Sequence, residues 1–130
     1  MMRRRSGRRS ERGAAAVEFA LIIPVMLLLV FGVIEFSRLY NEQISLTSAA
    51  RSAARVMAIG NNQGQAVTAA INAAPGLNPL ISGGQVSFSP AACTAGGTMS
   101  VRIDYTSSLI TGWFGATLPL RGEAAMPCGG

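Results

Sequence analysis

The chain has 130 residues, 49% of them apolar and only 13% charged, with a formal net charge of +5. That balance fits one small domain attached to a membrane better than a soluble globule. The absence of histidine excludes histidine-based catalysis and most zinc sites, and all 11 basic residues are arginines.

Residues 1–13 hold six of those arginines (Arg3, Arg4, Arg5, Arg8, Arg9 and Arg12) against one acid, Glu11. From Ala14 onward five arginines balance five acids, so the entire net charge sits in the first segment. No aromatic residue interleaves these arginines, as a nucleic-acid arm would require. A basic tail ahead of an apolar run is a topology signal: the arginine-rich side stays in the cytoplasm. Residues 1–13 read as a polar, unstructured cytoplasmic leader.

Ala14 to Ile34 is a 21-residue stretch whose single charge is Glu18. As a helix it is about 31 Å long, enough to cross the hydrocarbon core. Pro24 removes one backbone hydrogen bond, which a membrane span tolerates better than a packed soluble helix. Beyond Ile34 the apolar pattern narrows to Phe36, Leu39, Tyr40, Ile44, Ala50, Ala53, Ala54 and Met57, at helical spacing. Residues 35–59 therefore continue the helix in amphipathic form, with Arg38 placed to meet both Glu35 and Glu42 on one side and Tyr40 near the lipid–water interface. Gly60-Asn61-Asn62 ends it.

Residues 60–130 form a small extracytoplasmic domain. A short helix is predicted from Gln65 to Ala74, stopped by Pro75-Gly76. The period then changes to two: Val86 and Phe88 alternate with serines, and Met99, Val101, Ile103 and Tyr105 alternate with Ser100, Arg102, Asp104 and Thr106. Gly96-Gly97 marks a hairpin between these runs. A third extended segment, Thr117 to Met126, is weakened by Pro119. The fold class is α+β: a long N-terminal helix, a second short helix and a small antiparallel sheet packed on the amphipathic half.

Glu18 is the anomaly, because a charge at the centre of a membrane span costs about 2.5–3.5 kcal/mol even on the lenient insertion scale. A cleavable secretory signal would need a shorter apolar core and a small-residue cut site, and neither is present. An ordinary uncleaved anchor would leave the glutamate unexplained. The third reading comes from the motif itself: Gly13, four apolar residues, then Glu18, at the junction of basic tail and apolar run. This resembles the type IV prepilin signal. The resemblance implies that a prepilin peptidase cuts between Gly13 and Ala14, making Glu18 the fifth residue of the mature chain. The carboxylate could then pair with a neighbouring subunit's new ammonium, and paired charges in lipid are far less costly than isolated ones.

The longer run RGAAAVEFALIIPVMLLLVFGVIEFSRLY, followed by LTSAARSAAR, is similar to the TadE-like family of the bacterial tight-adherence system, which builds Flp pili. The resemblance covers about residues 12 to 57. It implies a pilin-like fold and a structural role as a minor pilin or pseudopilin. It also implies prepilin peptidase and other pilus and assembly-platform proteins as partners, with a single pass through the bacterial inner membrane. The alternative is an uncleaved single-pass protein whose outer domain binds a ligand or signals. No enzyme, cofactor, metal, small-molecule substrate or nucleic acid is expected, since neither histidine nor lysine is present to activate a hydroxyl.

The remaining candidates carry open alternatives. Ala49, Ala50, Ala53 and Ala54 form a small-residue strip suited to packing beneath the chain's own sheet or to a subunit contact. Arg51 and Arg55 read as solvated, as held by local acids, or as facing an acidic partner. Cys93 and Cys128, the two cysteines of a chain placed on the oxidising side, are expected to form a disulfide, against a free Cys128 on a flexible tail. Trp113-Phe114 reads as core filling or as an exposed binding or membrane-contact loop.

Overall fold

The structure is a computed structural model; it describes residues 7–110, 112 and 116–129, with residues 7–10 as helix backbone alone. Residues 1–6 and Trp113-Phe114 lie outside the described residues. The architecture is α+β. Helix α1 spans Gly7–Gly60 and α2 spans Gln63–Ala73. A single 3₁₀ turn, Gly83–Gln85, leads into strands β1 (Val86–Ser89), β2 (Thr98–Ser108) and β3 (Thr117–Pro127). The strands form one antiparallel sheet in the order β1-β2-β3.

The chain divides into two compact units, residues 1–36 and 37–130. In the first, the expectation of an unstructured leader is corrected for residues 7–13: α1 already begins at Gly7 rather than at Ala14. Arginine is among the better helix formers, and adding turns to an existing helix avoids the cost of a new nucleus. Pro24 stands inside the helix. The large apolar side chains from Val17 to Ile34 are exposed, Leu28 at 73% and Leu21 at 69% among them. Among the described residues, this is the one helix long and apolar enough to cross a membrane.

The second unit holds the core. Strand β2 alternates strictly between buried and exposed residues, so Met99, Val101, Ile103, Tyr105 and Ser107 point inward. They meet Leu46, Ala49, Ala50, Ala53, Ala54 and Met57 of α1 and Ala66 and Ala70 of α2, all fully buried. The alanine strip therefore packs against the chain's own domain, because side chains this small allow close approach. The closest approach is made by Gly122 of β3, opposite Ile103: a Cβ there would lie 2.4 Å from the Leu46 carbonyl oxygen.

The two asparagines after Gly60 divide the work of the turn. Asn61 takes the left-handed conformation (φ 48°) that ends α1. Asn62 caps α2, its side chain accepting from the Gln65 backbone N–H at 3.0 Å. The second helix consequently starts two residues earlier than the periodicity predicts.

Strand β3 runs through Pro119 without a break. It is an edge strand, so one of its sides has no ladder to satisfy. The Leu109 amide donates to the Ala116 carbonyl in the same register, which turns the backbone groups of even-numbered β3 residues toward β2. Pro119 and Pro127 are odd-numbered, so their missing N–H groups fall on the outer side.

Candidate membrane and assembly site

In the first unit, Gly13, Ala14 and Glu18 all lie within α1 and are exposed. A Cβ at Gly13 would meet nothing within 4 Å, so any requirement for glycine there does not arise from the chain's own packing. Among the described residues Glu18 has no hydrogen bond or ion pair. Its neighbours along the helix, Val17, Phe19, Leu21 and Ile22, are each more than half exposed. A lone acid on an apolar surface needs a partner from outside the chain once water is excluded.

In the second unit, polar groups tie the start of the domain to the end of β2. The Arg38 guanidinium donates to Glu42 at 3.0 Å and to the Ser107 hydroxyl at 3.5 Å, and it also donates to the Ser108 carbonyl. Glu42 is buried, and its second oxygen accepts no hydrogen bond. Tyr105 lies nearby and donates its hydroxyl to the Pro79 carbonyl at 2.8 Å. Burial pushes the Tyr105 pKa above the ordinary phenol value of 10.0; the Glu42 charge adds to this and the Arg38 charge opposes it. The expected ion pair between Arg38 and Glu42 is present.

The far end of the domain is closed differently. Cys93 and Cys128 lie with Cα atoms 5.7 Å apart and their sulfurs within bonding distance. The Asn61 side chain accepts from the Cys93 amide at 2.7 Å. The Gly129 amide donates to the Ala58 carbonyl at 3.1 Å, and the Cys128 amide to the Gly97 carbonyl at 2.9 Å. The C-terminal tail thus supplies a donor to one of the last carbonyls of α1, which no intrahelical N–H can satisfy.

On the outer sheet face, Arg102 pairs with Glu123 at 2.9 Å and Arg121 with Asp104 at 2.8 Å. The hydrogen bond and charge of Asp104 hold the Arg121 guanidinium even more firmly protonated. A shallow trough of about 580 Å³ on this face is lined by Ser87, Ser89, Ser100, Arg102 and Glu123 among others. Arg51 and Arg55 are exposed on α1 and form no ion pair among the described residues. Also among the described residues, no group of three or more acids or cysteines gathers to hold a metal.

Sequence reasoning missed three of these features: the Arg38 contact with the end of β2, the Asn61 contact with Cys93, and the Gly122 approach to Leu46. The first two join residues 70 and 32 positions apart, and no local pattern reports such pairs. The third had a faint signal, a glycine inside a strand pattern, which marks close backbone approach.

No curated protein and no solved structure matches the chain. The family model described as TadE-like protein matches residues 13–55, from Gly13 through the apolar helix to the arginine pair, and over that stretch the chain is similar to the family.

Proposed function

We propose that the chain is a pilin-like structural component of a bacterial tight-adherence pilus assembly system. The observation that carries this reading is the TadE-like match falling on a helix whose apolar side chains are exposed from Val17 to Ile34. Such a surface is stable only in lipid or against other helices. The single-pass topology puts residues 1–13 in the cytoplasm and the α+β domain outside the inner membrane. Arginine counts support it, with six before the span and three (Arg38, Arg51, Arg55) in the 21 residues after Ile34.

In this reading prepilin peptidase cuts between Gly13 and Ala14. Both residues lie inside α1, so the peptide must open locally before cleavage. Glycine lowers the cost of that opening, being about 1 kcal/mol less favourable in a helix than alanine. The new ammonium at Ala14 lies four residues from Glu18, and a neighbour's ammonium gives that carboxylate its partner. Other pilus and assembly-platform proteins are the further partners. The bridge between Cys93 and Cys128 holds the domain closed in the oxidising compartment.

Intact mass of the full chain, expressed with its cognate peptidase and purified from membranes, tests the reading. The expected mature chain starts at Ala14. A protein that retains Arg3 to Arg12 in such cells would overturn the pilin assignment in favour of an ordinary anchored protein.

A further inference from the structure

We propose that the outward face of α1 between Ile44 and Ile59 docks a helix of a different protein, one that presents two carboxylates to Arg51 and Arg55. The proposal concerns residues 37–130 alone and stands apart from the processing of the first unit.

Charge, taken position by position, carries it. Residues 37–130 contain five arginines and three acids. All three acids are engaged: Glu42 with Arg38, Asp104 with Arg121 and Glu123 with Arg102. The excess charge of this unit therefore resides on Arg51 and Arg55, both exposed and without an ion pair among the described residues. They stand four apart on one face, a spacing at which like charges in a helix repel. No acid lies three or four positions from either to relieve the repulsion. The helix end does not account for them, since its dipole acts within the last turn and α1 has no basic residue there.

Shape agrees with charge. Ile44, Ser48, Arg51, Arg55 and Ile59 follow the helical period along the side of α1 opposite the alanine strip. The helix buries Leu46, Ala50, Ala53 and Met57 completely, yet leaves Ile44 52% and Ile59 68% exposed. A shallow groove of about 430 Å³ beside Arg51 is lined by Gln43, Ile44, Thr47, Ser48 and Arg51. The Thr47 hydroxyl donates to the Gln43 carbonyl at 3.0 Å, which turns it back onto its own helix. Short side chains at 47 and 48 between longer ones give the kind of groove that receives the ridge of another helix.

The chemistry selects the occupant. The planar fork of arginine matches a carboxylate through two parallel hydrogen bonds. An apolar partner would strip both cations of water and return nothing. A second copy of this domain brings two more arginines and no unpaired acid, so its like charges oppose the contact. Nucleic acid fits poorly, because no aromatic residue lies between Asn41 and Gly60 to stack on a base. What remains is a helix with acids three or four positions apart and aliphatic residues on either side.

The test introduces a photoreactive benzophenone amino acid in place of Ser48 in the full chain, expressed in its native cells. Ser87, exposed on the outer sheet face, is the control position. Crosslinked products are purified after irradiation and mapped by mass spectrometry. The expected product joins position 48 to a helical segment of another protein that carries two such carboxylates, at a yield well above that at position 87. At matched membrane levels, Arg51→Glu combined with Arg55→Glu should lower the yield roughly ten-fold or more, because like charges then face each other. Exchanging the partner's two carboxylates for arginine should restore it. Arg51→Gln combined with Arg55→Gln keeps good helix formers in place and should lower the yield as well, which separates lost charge from lost folding. A product with a second copy of the chain, with phospholipid or with nucleic acid would overturn the proposal. So would a yield no higher than at position 87, a protein product that both double variants leave unchanged, or a loss that the reversed partner does not restore.

Discussion

Gly122 shows how a single hydrogen atom positions a helix against a sheet. Its Cα faces the Leu46 backbone so closely that a methyl group would collide with main chain, which cannot rotate away. Gly122→Ala is therefore expected to cost about 1–3 kcal/mol, the usual range for overpacking a filled core. Gly84→Ala serves as the control, because a Cβ there meets nothing within 4 Å. Thermal unfolding in detergent, followed by near-ultraviolet circular dichroism, should separate the two. Equal midpoints would mean that the domain relaxes freely around α1. Tyr105 gives a second test at this scale. Its pKa is raised by burial, so the folded state holds the phenol proton more tightly than the unfolded chain does. The stability this contributes is fully present below pH 10.0 and is lost as the pH rises through the higher folded-state value. An alkaline titration of phenolate absorbance should show a component that ionises above pH 10.0, and Tyr105→Phe should remove it. An absorbance change above pH 10.0 that Tyr105→Phe leaves unaltered would contradict the burial.

At the scale of elements, the strand pattern was legible because burial on one face imposes a period of two, and Met99 to Ser107 obey it without exception. The helix was legible for the same reason at a period near 3.6, as were its terminator and the short helix that follows. The start of α1 was not, since Arg8 to Arg12 have no apolar face and only propensity decides their state. Pro119 misled for a topological reason: its cost depends on which side of β3 is paired, and that is fixed by a strand ten or more residues away. The tail was legible only as two cysteines. That Cys128 also brings Gly129 onto the Ala58 carbonyl depends on where α1 ends in space. With the cysteines 35 positions apart, a bridge stabilises the domain by about 2–4 kcal/mol, chiefly through the unfolded chain. Protein taken from its native envelope and alkylated before reduction should show neither cysteine labelled. Labelling of both would mean that proximity is not accompanied by a bond.

For the whole molecule, the decisive group is Glu18, whose proposed role follows from the Gly13-to-Glu18 spacing and whose proposed partner belongs to another subunit. Glu18→Ala should leave membrane insertion intact or improved, since it removes a charge from lipid. Cleavage should survive as well, because the proposed cut lies at Gly13-Ala14. Assembly should fail, as a neighbour's ammonium loses its counter-charge where an unpaired ion costs several kcal/mol. Gly13→Leu should fail earlier, retaining residues 1–13. Pilus yield and crosslinking to other pilus components, at matched membrane levels, distinguish the two defects. Normal assembly by the Glu18→Ala chain would reduce the segment to a plain anchor.

A protein that concentrates many copies side by side in a membrane runs a particular hazard, which the outer side of β3 bears upon. An open strand edge is a template on which identical chains can stack into cross-β aggregates. Here two of the edge positions, Pro119 and Pro127, have no hydrogen to donate, and the Arg121 carbonyl is occupied by the Gln43 side chain at 2.7 Å. A second copy arriving at this edge finds the donor–acceptor rhythm broken at both ends and blocked between them. Copies of this domain can therefore crowd together without their sheets fusing.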